Sequence, residues 1–182
     1  MMWNDCDPIT RRRFLAGASA LTGALLLPSR SASSEQGKSH LSEAARRATQ
    51  ESQLIYVSPL RSDGSESTCH GEVWFVPDGE ALLIVSSKDY WRTRAVSKGL
   101  DTARIWVGTF GVWKRIGDKY RSAPSFLARA NLLAPDDPGV QRCLTDMARK
   151  YATSGWSRWG PAFHEQTQDG RRVVIRYTPI GA

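Results

Sequence analysis

Apolar and polar positions change period several times after residue 40. From Leu41 to Gln53 good helix formers (Ala44, Ala45, Ala48) follow a capping Ser42 with no Pro or Gly between, which predicts a helix. Leu54-Ile55-Tyr56-Val57 then reads as a strand that stops at Pro59. Arg61-Ser62-Asp63-Gly64 is a turn with Asp63-Gly64 as the hairpin signal. Gly71 to Val76, centred on Val73-Trp74-Phe75, predicts the next strand, and Pro77 to Glu80 a second tight turn. Ala81 to Val85 is a continuous apolar run, the pattern of a strand buried on both faces. Read in order, the three strands make a meander.

The second half continues in short pieces. Lys88 to Lys98 predicts a short helix ending at Gly99, a left-handed cap. Ala103 to Val107 is a strand, Gly108 and Gly111 bracket a bend, and Val112 to Ile116 reads as the return strand. Phe126 to Leu133 is a further strand. Asp137-Pro138 starts a helix whose apolar stripe is Val140, Leu144, Met147 and Tyr151. Gly155 to Pro161 reads as irregular and tryptophan-rich, and Arg172 to Tyr177 as a last strand closed by Pro179. The expected fold is mainly β, with six or seven strands able to close a small barrel and a few short helices.

The first 40 residues follow a different logic. Arg11-Arg12-Arg13 precede Phe14-Leu15, a weakly apolar run to Leu27, and a small-residue stretch Pro28 to Ala32. That is the layout of a cleavable twin-arginine leader, and the run is short of the ~20 residues a membrane span needs. Arg30, just after the run, disfavours the general secretion channel. The expected organisation is a leader over residues 1–32, a polar linker over 33–40 and one domain over 41–182. Roughly 150 residues remain after the leader, enough for a real core. The expected destination is the periplasm or cell exterior, by the twin-arginine machinery, which carries folded passengers.

Charge and cysteine content add little more. The chain has 25 Lys and Arg against 18 Asp and Glu, a balance that suits an anionic ligand but shows no dense basic-aromatic patch for nucleic acid. Cys6 lies in the leader; an oxidising compartment would let Cys69 and Cys143 pair, and sequence separation leaves that open. The strong metal motifs, CxxC pairs and HExxH, do not occur, so no metal site is expected.

One series of residues carries a resemblance. It runs from Arg61-x-Asp63-Gly64 through Trp74-Phe75 and a strand ending in Ser86 to a helix with Arg92-x-Arg94 and Val96. Arg104-Ile105-x-Val107-Gly108 completes it. The series resembles the pyridoxamine-phosphate-oxidase-like, FMN-binding split β-barrel family, most of all its deazaflavin-dependent reductase branch, over Leu54 to Gly108 and more loosely over Val140 to Pro179. The resemblance implies a six- to seven-stranded antiparallel split β-barrel, FMN or deazaflavin as cofactor, oxidoreductase chemistry, and a homodimer with the cofactor at its interface. It places the cofactor phosphate after the third strand and along the following helix, hence on Ser86, Ser87, Arg92 and Arg94. The family often has lysine where Arg92 stands, and relatives turn more tightly at Gly99-Leu100-Asp101. A phosphate does want hydroxyls and a fixed cation, and arginine offers a two-pronged fork. Residues two apart on a helix face different ways, so Arg92 is favoured over Arg94.

Other residues widen the choice. Trp74, Trp91, Trp106 and Trp113 can wall a flat ring, although packing explains any single tryptophan as well. Trp156 and Trp159, with Arg158, suit a site lip or a dimer contact. His70 and His164 can donate a proton or ligate haem, which some split-barrel proteins bind. A haem- or small-ligand-binding protein without turnover, and a cofactor-free interaction domain, are therefore the rival readings, and no catalytic residue is singled out. Export is checked directly. Replacing Arg11 and Arg12 by lysine keeps the charge but loses the guanidinium geometry, and the precursor is expected to stay in the cytoplasm on fractionation. Normal export of that variant by another route would refute the leader.

Overall fold

The computed structural model describes residues 41–181, so the leader and linker expected at the N-terminus lie outside the described residues. The fold is an antiparallel split β-barrel of seven strands with a few short helices. The strands are β1 (Ile55–Pro59), β2 (Gly71–Val73), β3 (Val76–Asp78), β4 (Ala81–Ser87), β5 (Thr102–Val107), β6 (Ser125–Leu132) and β7 (Arg172–Ile180). Their spatial order is β2-β1-β5-β6-β7-β4-β3, and every neighbouring pair is antiparallel. No protein helix among the described residues is long and apolar enough to cross a membrane.

The two edge strands, β2 and β3, are consecutive in sequence and separated only by Trp74-Phe75. The single strand expected over Gly71 to Val76 is therefore broken. Its first half pairs with β1 and its second with β4, at opposite ends of the sheet. The expected meander becomes two hairpins joined by this corner. The reason is the pleat: Gly71 sits opposite Val57, and Val76 opposite Leu83, so one straight strand cannot follow both partners. The corner needs other partners for its backbone, and Tyr151 supplies them. Phe75 N–H donates to Tyr151 Oη at 2.9 Å, and that hydroxyl lies 2.8 Å from the Phe75 carbonyl oxygen and 2.9 Å from that of Gln53. Trp74 stacks on the Tyr151 ring with centroids 4.4 Å apart.

The barrel interior is filled by alternate positions of each strand. Ile55 and Val57, Ala103, Ile105 and Val107, Ala128 and Ala130, Ile175 and Tyr177, Leu82 and Ile84 all point inward, with Phe75 from the corner. Helix α1 (Glu43–Glu51) is capped by Ser42 Oγ, which accepts from Ala45 N–H at 3.2 Å, and it lays Ala48 against this interior. Helix α2 (Trp91–Ser97) contributes Val96. The β4 run is buried on both faces as its composition demands: Leu83 and Val85 pack outward against helix α4 (Pro138–Lys150) through Leu144, Met147 and Tyr151.

Three further expectations are corrected, and the open question of a Cys69–Cys143 pair is answered. Val112 to Ile116 is not a return strand: β1 and β6 already occupy both sides of β5. The segment forms helix α3 (Trp113–Ile116) and a 3-10 turn, Gly117–Ser122, which lay Trp113, Ile116 and Tyr120 against the outside of the sheet. The segment Gly155 to Pro161 is not irregular. Gly155, at φ +105°, separates α4 from helix α5 (Ser157–Gln168), and packing of Trp156 and Phe163 against the outer core holds α5 despite Pro161. Strand β7 runs through Pro179 to Ile180 because Pro179 lies beyond the last β4 pair, Leu82 with Tyr177, where no ladder bond to β4 is lost. Cys143 is a free, fully buried thiol, so it does not pair with Cys69.

Tyr151→Phe tests the corner. It keeps the ring and its stack on Trp74 but strands the buried N–H and C=O of Phe75. The expected loss is about 1–3 kcal/mol in urea denaturation. An unchanged midpoint would show that the corner does not need the hydroxyl.

Candidate functional site

Strand β4 ends at Ser86 and Ser87, and α2 begins at Trp91 after three intervening residues. Thr93 ties the two together. Its hydroxyl donates to the Ser87 carbonyl at 2.8 Å and shares a hydrogen bond with Ser86 Oγ at 3.0 Å. Tyr90 N–H also donates to the Ser87 carbonyl, and Lys88 N–H to that of Arg171. Ser86 and Thr93 are both buried. The Ser86 hydroxyl is thus engaged in anchoring the helix, and the backbone amides of Lys88 and Tyr90 at this junction are occupied.

With Thr93 pinned, its neighbour Arg92 also turns inward. Arg92 is only 6% exposed, and its Nε is buried with no hydrogen-bond partner among the described residues. Among the described residues no carboxylate pairs with it. The guanidinium carbon lies 4.6 Å from the Tyr90 ring centre and 5.0 Å from that of Trp91. Burial pulls its pKa down, opposed by the nearby Tyr177, Tyr90 and Glu72; a guanidinium still keeps its proton. A buried cation without a counter-ion is costly, so its natural complement is an anion.

The cluster extends to the edge of β2. A Cβ placed on Gly71 would meet Trp113 Nε1 at 3.4 Å and Arg92 Nη2 at 3.8 Å, so α2 and α3 converge on this glycine. The Glu72 carboxylate accepts from Trp113 N–H at 3.1 Å and fixes the start of α3. His70 also meets the Trp113 indole edge-on, with centroids 4.5 Å apart. Its Nδ1 is buried without a partner, and burial, with Arg121 second, lowers its pKa against the pull of Asp118 and Glu66. Tyr120, 5.8 Å from His70 between ring centres, is fully buried, and its hydroxyl also has no partner.

Of the residues expected at the site, Ser86 and Ser87 are tied to α2 through Thr93, while the Arg92 guanidinium lies by Trp91 and the Gly71 position that Trp113 borders. Arg94 is exposed on another side of α2. Trp74 is drawn to the barrel corner against Tyr151 and Phe163. Trp106 is buried beside Tyr120, edge to face at 5.1 Å, and supports that ring without offering a face of its own. His164 sits on α5 against Trp156, apart from His70's cluster. Trp159 is 48% exposed beside the Arg158 guanidinium. Gly71 and Tyr120 belong to the site but had no sequence signal; only the folding of α3 and the 3-10 turn over β2 brings them in. The Gly99–Thr102 stretch noted as longer than in relatives lines, with Arg61 and Gly64, an open groove of about 330 Å³ beyond the other end of α2.

Comparison with known proteins identifies the fold class. No protein-family model matches the chain, and neither does any curated protein. Among solved structures the chain is similar to HutZ, the haem storage protein of Vibrio cholerae, at TM-score 0.54 and 14% identity, covering 79% of this chain and 92% of HutZ. It is similar to a conserved hypothetical protein of Mycobacterium tuberculosis at TM-score 0.51 and 14% identity, over 79% and 84% of the two chains. It also matches Campylobacter jejuni ChuZ at TM-score 0.50 and 8% identity, over 74% of this chain and 51% of that one. These likenesses place the chain among proteins of the split-barrel fold.

Arg92→Met separates a ligand-binding role from a structural one. If the cation serves only an absent anion, the apolar replacement is expected to stabilise the empty protein by about 1–4 kcal/mol, since it removes an unpaired buried charge. A clear loss of stability in thermal or urea unfolding would make Arg92 structural.

Proposed function

We propose that this chain is an exported oxidoreductase that binds a phosphorylated flavin or deazaflavin, FMN or its deazaflavin counterpart, next to Arg92. The observation that carries the proposal is the buried, unpaired Arg92 guanidinium beside the β4–α2 junction. The residues present fit such a group. Arg92 would take the phosphate, Trp91 and Trp113 are half-buried rings able to flank a flat system, and the missing side chain of Gly71 lets Trp113 and Arg92 approach the edge of β2 closely. The bound cofactor would supply the hydride chemistry. The chain's own part is to neutralise the phosphate, fix the ring against the indoles and keep water from it. Export by the twin-arginine route, release to the periplasm or cell exterior, and a homodimer that completes the site belong to the same proposal.

His70 supports a second reading. An unpartnered, half-buried imidazole held neutral is suited to ligate haem iron, and Arg92 to pair with a propionate. The likeness to HutZ agrees with this reading in fold.

An absorption spectrum of protein purified from its own host distinguishes flavin, deazaflavin, haem and no cofactor. Titration with FMN then tests the site. Arg92→Ala is expected to weaken binding about tenfold to a hundredfold, the worth of a charge-assisted contact, and Arg94→Ala far less. Equal, unchanged affinities in both variants would remove this cluster from the site. A Soret band that is lost in His70→Ala would replace the flavin by haem.

A further inference from the structure

The site has a second set of unpaired polar atoms, on His70 and Tyr120. Tyr120 is held by its ring. It stacks on Tyr56 with centroids 4.8 Å apart and 16° between planes, and meets Trp106 edge to face. Phenylalanine would make the same contacts. The hydroxyl adds a buried polar group that makes no well-aligned hydrogen bond and has only the Arg121 guanidinium beside it; a buried hydroxyl left bare costs about 1–3 kcal/mol. His70 presents the same anomaly at Nδ1. Arg121 is the nearest cation, but its Nε and Nη1 are bonded to Asp118 at 3.1 Å and Glu66 at 2.7 Å. Two buried polar atoms on neighbouring rings, unbonded to each other, mark a place for an atom between them.

We infer that His70 and Tyr120 form an oxygen-binding subsite, filled by water in the empty protein and by a ring carbonyl of the flat ligand whose phosphate Arg92 holds. The second half of this inference rests on the flavin or deazaflavin reading; the first does not. The chemistry of the pair suits one oxygen. Burial raises the Tyr120 pKa, so the group stays a phenol and can donate. His70 is kept neutral, so Nδ1 accepts or donates according to tautomer. Water can satisfy both atoms at once, and a carbonyl oxygen can accept from both. The placement matches an elongated ligand. Trp113 touches His70 and also borders the Gly71 position that Arg92 Nη2 approaches, so an anionic tail and a carbonyl edge can be held beside one indole. Phe110, held by its N–H donating to Tyr56 Oη, stands 38% exposed on the adjacent loop and gives this end an apolar rim.

The test uses the full chain, its Tyr120→Phe and Arg92→Ala variants, and two probes, FMN and its phosphate-free form riboflavin. In the empty protein, Tyr120→Phe is expected to shift the His70 ring ¹⁵N resonances and remove a long-lived water contact at that ring. Resonances that do not move would overturn the subsite. In titrations, Tyr120→Phe is expected to weaken FMN and riboflavin by the same factor, about threefold to tenfold for one neutral hydrogen bond. Arg92→Ala should weaken FMN alone. Unchanged affinity of Tyr120→Phe for both probes would overturn the carbonyl contact. The failure of the cofactor reading looks different. A wild type that binds neither probe removes the flavin and its carbonyl, while the His70 response in the empty protein still decides whether the pair holds an oxygen.

Discussion

The hydroxyl of Tyr151 is the point on which the barrel turns. Strands β2 and β3 are one stretch of chain that must leave one edge of the sheet and arrive at the other within two residues. Such a corner takes the backbone of Phe75 out of any ladder in a place where water does not reach. One phenol at the end of α4 answers for both its N–H and its C=O and reaches the Gln53 carbonyl as well. The same side chain stacks on Trp74 and joins the outer core of β4, β7 and α4. Closing the barrel, docking α4 and aligning the start of β1 are therefore one event, and the position of β2 at the site depends on it.

Of the six buried side-chain polar atoms without a partner among the described residues, three lie by the edge that this corner sets free; the others are on Gln53, Lys150 and Thr167. A folded domain normally pairs its buried donors and acceptors, and here His70, Arg92 and Tyr120 each leave one unsatisfied around Gly71 and Trp113. The rest of the described surface behaves conventionally: Arg176 and Arg142 meet Asp78, and Arg104 and Arg121 meet Glu66. The contrast implies a trade, since each bare group lowers the stability of the empty protein in favour of a bound one.

Local patterns were legible wherever neighbours in sequence decide the outcome. The Ser42 and Asp137 caps, the Asp63-Gly64 turn, the Gly99 stop of α2 and the two-faced burial of β4 could all be read from residue type and spacing, because each depends on contacts within a few positions. Arg92 was legible for a related reason: a helix two turns long places neighbours in known directions, so Arg92 and Arg94 had to part. The tryptophans were not legible. Trp74, Trp91, Trp106 and Trp113 are equal as sequence, and only the fold sends the first to the corner, the third into an aromatic stack and the other two to Arg92.

By itself, then, the sequence determined the kind of elements, most of their limits, a β-rich barrel of about this strand number and the helix on which a buried cation stands. The tertiary structure decided which edges are free and what covers them. It split Gly71 to Val76 between opposite edges and folded Val112 to Ile116 into helix because β5 had no edge left to pair. It also brought Tyr120 across from a 3-10 turn to face His70 some fifty residues earlier in the chain. The physical reason is range. Propensity, capping and periodicity act over a few residues, whereas strand order, barrel closure and the pairing of buried polar groups are settled by contacts between distant segments, which no local pattern encodes.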